Sequence, residues 1–212
     1  VGGMFEDSLE GVPQGGPLSP LLGNIMLNEC DQELERRGHR FVRYADDLMI
    51  FCKSKKAAER TMEHIVPYIE KKLFLKVNRE KTQVAYIGRV KYLGYGFYVY
   101  RGEGRFRVHP KSIRKLKDKI REITGRSNGM GIVERKTRLN QVIRGWVNYF
   151  KLADMKNLLK ELDEWTRSRI RMVTWKRWKR VRTRFENLRR AGLDEERAWM
   201  WANTRKGYWR TA

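Results

Sequence analysis

Two runs of β-prone residues in FVRYADDLMIFCK, residues 41–53, are separated by a pair of adjacent aspartates, and that interruption restricts the local fold sharply. Neighbouring side chains on a strand point to opposite faces, so a continuous strand would bury one carboxylate without a partner. A hairpin removes the conflict by placing Asp46 and Asp47 at its tip, with the apolar runs folded against each other. Carboxylates held there could face a common point where a hard cation balances their charge. Mg2+ suits that position, because it accepts one or two carboxylates and takes its other ligands from water and substrate phosphates. A solvated turn is the simpler reading of the dipeptide alone, since Asp is common in turns.

The flanking patterns predict helices and short strands. After the turn-rich GVPQGGPLSP a helix is expected with Ser19 as N-cap and Pro20 at its first position. Leu18, Leu21, Leu22, Ile25 and Met26 form one stripe, and Arg36, Arg37 and Gly38 close the helix. A second helix is expected from about Ser54 to Leu73, kinked or ended early by Pro67. Short strands are expected at VAYI, KYLGYGFYVY and RFRVH, the last two joined by a turn over Arg101-Gly102-Glu103-Gly104.

From Pro110 onward the period becomes helical. Ile113, Leu116, Ile120 and Ile123 share one face, and Lys111, Lys115, Lys119 and Arg121 lie away from it. After the breaker SNGMG come three further helices: one carrying Leu139, Val142, Ile143, Trp146 and Phe150, one carrying Leu158, Leu159, Leu162 and Trp165, and one carrying Trp175, Trp178, Arg182 and Phe185. Trp146 and Trp165 are expected in the core. The chain therefore reads as α+β, with an α+β domain over 1–110 and an all-α domain over 111–212.

Charge separates the same two halves. Residues 1–110 hold 18 Lys and Arg against 14 Asp and Glu, whereas residues 111–212 hold 29 against 11, for a net charge of +22 over the whole chain. Such an excess repels itself unless a polyanion relieves it, which makes nucleic acid the leading partner and an anionic membrane surface the second. The run from Arg167 to Arg190, with 11 basic residues, one acid and interleaved Trp175, Trp178 and Phe185, is too basic for an ordinary solvated face. It reads as a phosphate-contacting surface for RNA, carried by Arg167, Arg169, Arg171, Lys176, Arg177, Lys179, Arg180 and Arg182.

No apolar run approaches the roughly 20 residues of a spanning helix, and the N-terminal residues do not read as a signal peptide, so a cytoplasmic protein is expected. Cys30 and Cys52 are too few for a disulfide framework, and neither they nor His39, His64 and His109 show metal-binding spacing.

Taken in order, QGGPLSPLLGNI (14–25), YADD (44–47), NREKT (78–82) and YLGYGF (92–97) resemble the palm motifs of reverse transcriptases. RLNQVIRGWVNYF (138–150) and the basic stretch to RKGYWR (205–210) resemble the thumb, or maturase, domain of group II intron-encoded reverse transcriptases. The resemblance implies a partial palm over 1–110, a helical thumb over 111–212, and an RNA-directed DNA polymerase and maturase.

It further implies that Asp46 and Asp47 hold metal in a two-Mg2+ site completed by an aspartate outside this chain. Gln14, Gly15, Pro17, Tyr44 and Ala45 would line the nucleotide pocket, Lys81 would lie near the triphosphate, and Leu93, Gly94 and Tyr95 would form a primer grip. Implied partners are intron RNA, RNA template, DNA primer and deoxynucleoside triphosphates, with dimerisation left open.

Only Glu6, Asp7 and Glu10 precede QGG, in a polar stretch unlike the strand that bears the family's first aspartate. The chain is therefore expected to be a piece of a longer protein, lacking the fingers and inactive alone. A noncatalytic RNA-binding maturase, or a reverse transcriptase of a retron, diversity-generating element or CRISPR locus, are the competing expectations.

Overall fold

In the computed structural model, which describes residues 16–205, the helix expected after the glycine-rich turn runs over Ser19–Arg36 (α1), with Leu18 rather than Ser19 as its N-cap and Pro20 in its first turn. Proline's fixed φ and missing N–H suit any first-turn position, so the shift of one residue costs little. Gly38 closes the helix at φ 72°, a left-handed conformation that glycine adopts without a Cβ penalty.

The hairpin follows as β1 (Arg40–Tyr44) and β2 (Asp47–Phe51), antiparallel from Arg40↔Phe51 to Tyr44↔Asp47. Helix α2 (Lys55–Lys71) starts at Ser54, whose hydroxyl accepts from the Ala57 amide at 3.2 Å. It does not end at Pro67. One lost backbone hydrogen bond is outweighed by the burial of Ile65 and Val66 and by the packing of Ile69 one turn on. Cys30, Leu34 and Ile65 form the core here, with Phe41, Leu48, Ile50, Ile69 and Leu73 around them. The start of α1 is different: Leu18, Leu21, Leu22, Ile25 and Met26 are exposed.

VAYI forms no strand. Its last residue enters a 3-10 turn over Ile87–Arg89, and β propensity without a neighbouring strand does not make a ladder. Strand β3 (Lys91–Tyr92) is the last element of the first of two compact units, Val1–Tyr92 and Leu93–Ala212. The division precedes the KYLGYGFYVY hairpin's second strand, because Tyr95 and Val108 pack with the helices that follow them.

In the second unit β4 (Tyr95–Tyr100) pairs with β5 (Glu103–Val108) from Tyr95↔Val108 to Tyr100↔Glu103. The connecting turn is only Arg101-Gly102, both at positive φ, so Glu103 and Gly104 belong to β5. That two-residue form matches the right-handed twist of paired strands and displaces the four-residue turn expected from sequence.

Five helices follow: α3 (Pro110–Ile123), α4 (Ile132–Tyr149), α5 (Lys156–Arg177), α6 (Val181–Arg190) and α7 (Glu195–Ala202). Trp175 belongs to α5, whereas Trp178 lies in the break before α6, so the last expected helix is divided. Helix α7 is capped by Asp194, whose carboxylate accepts from the Arg197 amide at 2.8 Å.

Leu116, Ile120, Ile123, Leu139 and Leu162 form one core cluster, with Trp146 and Trp165 packed against it. Val108, Phe150, Ala153 and Met155 form another. The chain is α+β, as expected, and none of the described helices is long and apolar enough to cross a membrane.

Arg135 holds the end of α3. It is 4% exposed, and its guanidinium donates to the carbonyls of Ile123, Gly125 and Met130 and to the Asn128 side-chain oxygen. Burial, with Arg177 nearby, pushes its pKa below the usual arginine value. Arg135→Leu strands the buried Ile123 carbonyl and removes the donors to the partly buried Gly125 and Met130 carbonyls, and is expected to cost about 2–3 kcal/mol in urea unfolding. Exposed Lys136→Ala is expected to be nearly neutral, and equal effects of the two would remove this role.

Candidate functional site

The turn between β1 and β2 is Ala45-Asp46, and Asp47 opens β2 opposite Tyr44. Ala45 has φ 52°, left-handed for a residue with a Cβ, which costs on the order of 1 kcal/mol and persists only where the surroundings hold it. Arg43 supplies that hold. Alternation places it on the same hairpin face as Phe41, toward α1, where an unpaired charge would be costly.

Its Nε donates to Asp31 Oδ1 at 2.9 Å and its Nη2 to Asp31 Oδ2 at 2.5 Å. Its Nη1 reaches Asn24 Oδ1 at 2.9 Å and the Ala45 carbonyl at 3.0 Å. Hydrogen bonding to Asp31 raises the Arg43 pKa, so the clamp stays charged.

Asp46 and Asp47, by contrast, are exposed. The Tyr92 hydroxyl donates to the Asp47 carbonyl at 3.3 Å, and burial, then the Asp47 charge, pushes the Tyr92 pKa up. Tyr44 and Ala45 are exposed beside the carboxylates, and Pro17 is exposed ahead of α1. Gln14 and Gly15, with Glu6, Asp7 and Glu10, lie outside the described residues. Lys81 lies exposed in a turn organised by Asn78, whose side-chain oxygen accepts from the Lys81 amide at 3.1 Å.

As a donor set, the hairpin tip offers two adjacent exposed carboxylates, which fits one Mg2+ completed by water and phosphate oxygens. No group of three or more His, Cys, Asp or Glu suited to a metal occurs among the described residues.

In the second unit, Leu93 and Gly94 form a turn at φ 49° and 83°. The Leu93 carbonyl accepts from the Tyr149 hydroxyl at 3.0 Å, and the Gly94 carbonyl accepts from the Ser112 hydroxyl and the His109 amide, each at 3.0 Å. A Cβ at Gly94 would lie 3.0 Å from Phe150 Cζ and from Ser112 Oγ, so only glycine fits both the conformation and the space. Tyr95 packs its ring 5.0 Å from that of Phe150.

The basic run does not form one continuous face. Arg167 pairs with Asp163 at 2.8 Å and Arg182 with Glu186 at 3.0 Å, Arg169 Nε donates to Thr124 Oγ1 at 2.7 Å, and Lys176 donates to the Arg126 carbonyl at 3.2 Å. Arg171, Arg177, Lys179 and Arg180 are exposed and lack a carboxylate partner among the described residues. Trp175 lies 6.1 Å from Trp178 and carries the Arg184 guanidinium 5.1 Å from its centroid, so these aromatics build the α5–α6 junction.

Sequence reasoning missed Arg43, Asp31 and Asn24. The available signal was a basic residue in phase with Phe41 on an inward strand face, which requires an acid on whatever covers it.

A carboxylate-tipped hairpin thus follows the first described helix, and a helical bundle rich in basic residues comes later in the chain. Residues 6–97 match the family Reverse transcriptase (RNA-dependent DNA polymerase), and residues 113–192 match the Group II intron, maturase-specific domain. The group II intron-encoded protein LtrA of Lactococcus lactis subsp. cremoris is 25% identical over 73% of this chain and 42% of its own length.

Protein YkfC of Escherichia coli (strain K12) is 33% identical over 40% of this chain and 31% of its own length. The retron Mx65 reverse transcriptase of Myxococcus xanthus is 40% identical over 34% of this chain and 17% of its own length. The chain thus spans less than half the length of these relatives. The two matched spans lie in this order along the chain, and the likeness to LtrA extends over most of it.

Arg43→Met removes the clamp while keeping an apolar side chain on the inward face. Amide hydrogen exchange over residues 40–51 is expected to quicken about 10-fold or more, the equivalent of at least about 1.4 kcal/mol, while α3 and α4 keep their protection. Unchanged exchange at the hairpin would show that Arg43 does not hold it.

Proposed function

We propose that this chain supplies the metal-binding hairpin and an RNA-gripping helical surface of a group II intron-encoded reverse transcriptase and maturase, which extends a primer 3′-OH on an RNA template with deoxynucleoside triphosphates. The observation that carries this reading is the pair of exposed carboxylates on a clamped, strained turn inside the matched reverse transcriptase span.

Asp46 and Asp47 would hold Mg2+, which when bound would offset charge on the nucleotide phosphates and favour ionisation of the primer hydroxyl. A second ion would need a carboxylate from outside the described residues. Arg43 keeps the tip in register on α1, so the carboxylates meet substrate in one position rather than many.

Pro17, Tyr44 and Ala45, with Gln14 and Gly15, would bound the nucleotide pocket, and Lys81 would face the triphosphate, where a cation stabilises negative charge on the leaving pyrophosphate. The rigid Leu93-Gly94-Tyr95 turn is suited to hold a primer end, because its carbonyls are already engaged and its backbone cannot relax. Arg171, Arg177, Lys179 and Arg180 present unneutralised charge for RNA phosphates, with Arg167, Arg169, Lys176 and Arg182 beside them in sequence. Intron RNA and a template–primer duplex are the proposed polyanions, and assembly as a dimer is compatible with this reading.

A second reading, RNA binding and splicing assistance without DNA synthesis, draws on the concentration of charge in the helical half. Primer extension by the encoded full-length protein separates the two. Asp46→Asn and Asp47→Asn are each expected to lower extension about 100-fold or more while RNA affinity changes less than about 2-fold. Full extension by either variant would exclude the metal role, and intron splicing without any extension by the wild type would favour the second reading.

A further inference from the structure

Around Trp165, three cations meet on one indole. Lys117 Nζ lies 5.7 Å from the ring centroid, the Arg121 guanidinium 5.5 Å and the Arg169 guanidinium 5.7 Å. They come from two helices: Lys117 and Arg121 lie one turn apart on α3, and Arg169 lies one turn after Trp165 on α5. Apolar packing accounts for Trp165, which lies against the Leu116–Leu162 core cluster, but it does not account for the charges.

Like charges gathered within a Debye length repel one another, and Arg121 Nη1 pairs with Asp118 at 2.5 Å. Lys117 has no carboxylate partner among the described residues. Arg169 is anchored from the side by Thr124 Oγ1 at 2.7 Å, which fixes the third cation in place. A guanidinium stacked on an aromatic face keeps its in-plane N–H donors for a further acceptor, and phosphate fits those donors well. The Arg121 side chain is 51% exposed, so such an acceptor can reach it.

We propose that Lys117, Arg121 and Arg169, gathered on Trp165, form a backbone-phosphate site for RNA on the α3–α5 face, distinct from the exposed cations at the end of α5. This deepens the RNA-binding reading and rests on it. In that site the indole preorganises the cations, so that binding relieves their mutual repulsion.

The test is fluorescence anisotropy of the 212-residue chain with a short labelled RNA hairpin over a range of KCl concentrations. Lys117→Gln/Arg121→Gln is expected to flatten the slope of log affinity against log salt by about two. The charge-preserving Lys117→Arg/Arg121→Lys is expected to retain the slope, and Lys111→Gln/Lys115→Gln, on the exposed side of α3, to flatten it by less than half as much. Equal flattening by both Gln pairs would mean a diffuse field and overturn the site.

If Arg171→Gln/Arg180→Gln flattens the slope while Lys117→Gln/Arg121→Gln leaves it intact, the site fails and the RNA-binding reading stands. A wild-type chain that binds the hairpin without salt dependence would overturn both. Capture of the wild type on phosphatidylserine vesicles, lost in the Lys117→Gln/Arg121→Gln pair while its RNA slope is unchanged, would reassign the site to a membrane surface.

Discussion

The bidentate pair between Asp31 and Arg43 is the interaction on which the rest of the first unit's site depends. A hairpin of two five-residue strands is marginal by itself in water, and one with a left-handed alanine at its tip is worse placed still. The pair supplies two things at once: it satisfies a charge on the inward face, and through its third nitrogen it ties the Ala45 carbonyl to the same guanidinium. Asp46 and Asp47 can then stay in solvent without needing their own hydrogen bonds to fix the turn. The carboxylates are available because their support comes from the residue two positions before the turn.

A related division of labour runs through the helical unit. The terminal nitrogens of the interior Arg135 are held by carbonyls at and just after the end of α3 and by the Asn128 side chain, while surface charge is left in excess. Several arginines in the basic run build structure, Arg167 and Arg182 by pairing with an acid one turn away and Arg184 by donating to the Trp178 carbonyl. The cations left for a polyanion are consequently fewer than composition suggests, and they are better fixed in position.

What was legible in the sequence was whatever periodicity and turn chemistry determine locally. The stripes of α3 and α4, the glycine closing α1, the start of α2 near Ser54 and the hairpin around YADD all follow from residues within a few positions of one another. The failures have tertiary causes. VAYI has strand composition but no strand beside it among the described residues, Pro67 is overridden by the burial of Ile65 and Val66 before it and the packing of Ile69 after it, and the Arg101-Gly102 turn tightens because the pairing of Tyr100 with Glu103 continues the ladder. Helix α1 shows the limit from the other side: its pattern defines an apolar face, yet only Cys30, Glu33 and Leu34 are buried, because periodicity says nothing of what covers a face. At the site, the aspartates stood out by type, whereas Asp31 and Asn24 did not, since the clamp joins residues far apart in sequence.

The most direct test of the central claim, that the clamped turn presents Asp46 and Asp47 as a cation-binding pair, is Mn2+ titration followed by paramagnetic broadening of the chain's amide resonances. The account predicts that broadening begins at residues 45–48, is suppressed by excess Mg2+, and is lost from those residues in Asp46→Asn/Asp47→Asn. Broadening that begins at other carboxylates, or that persists at the turn after both are replaced, would contradict it.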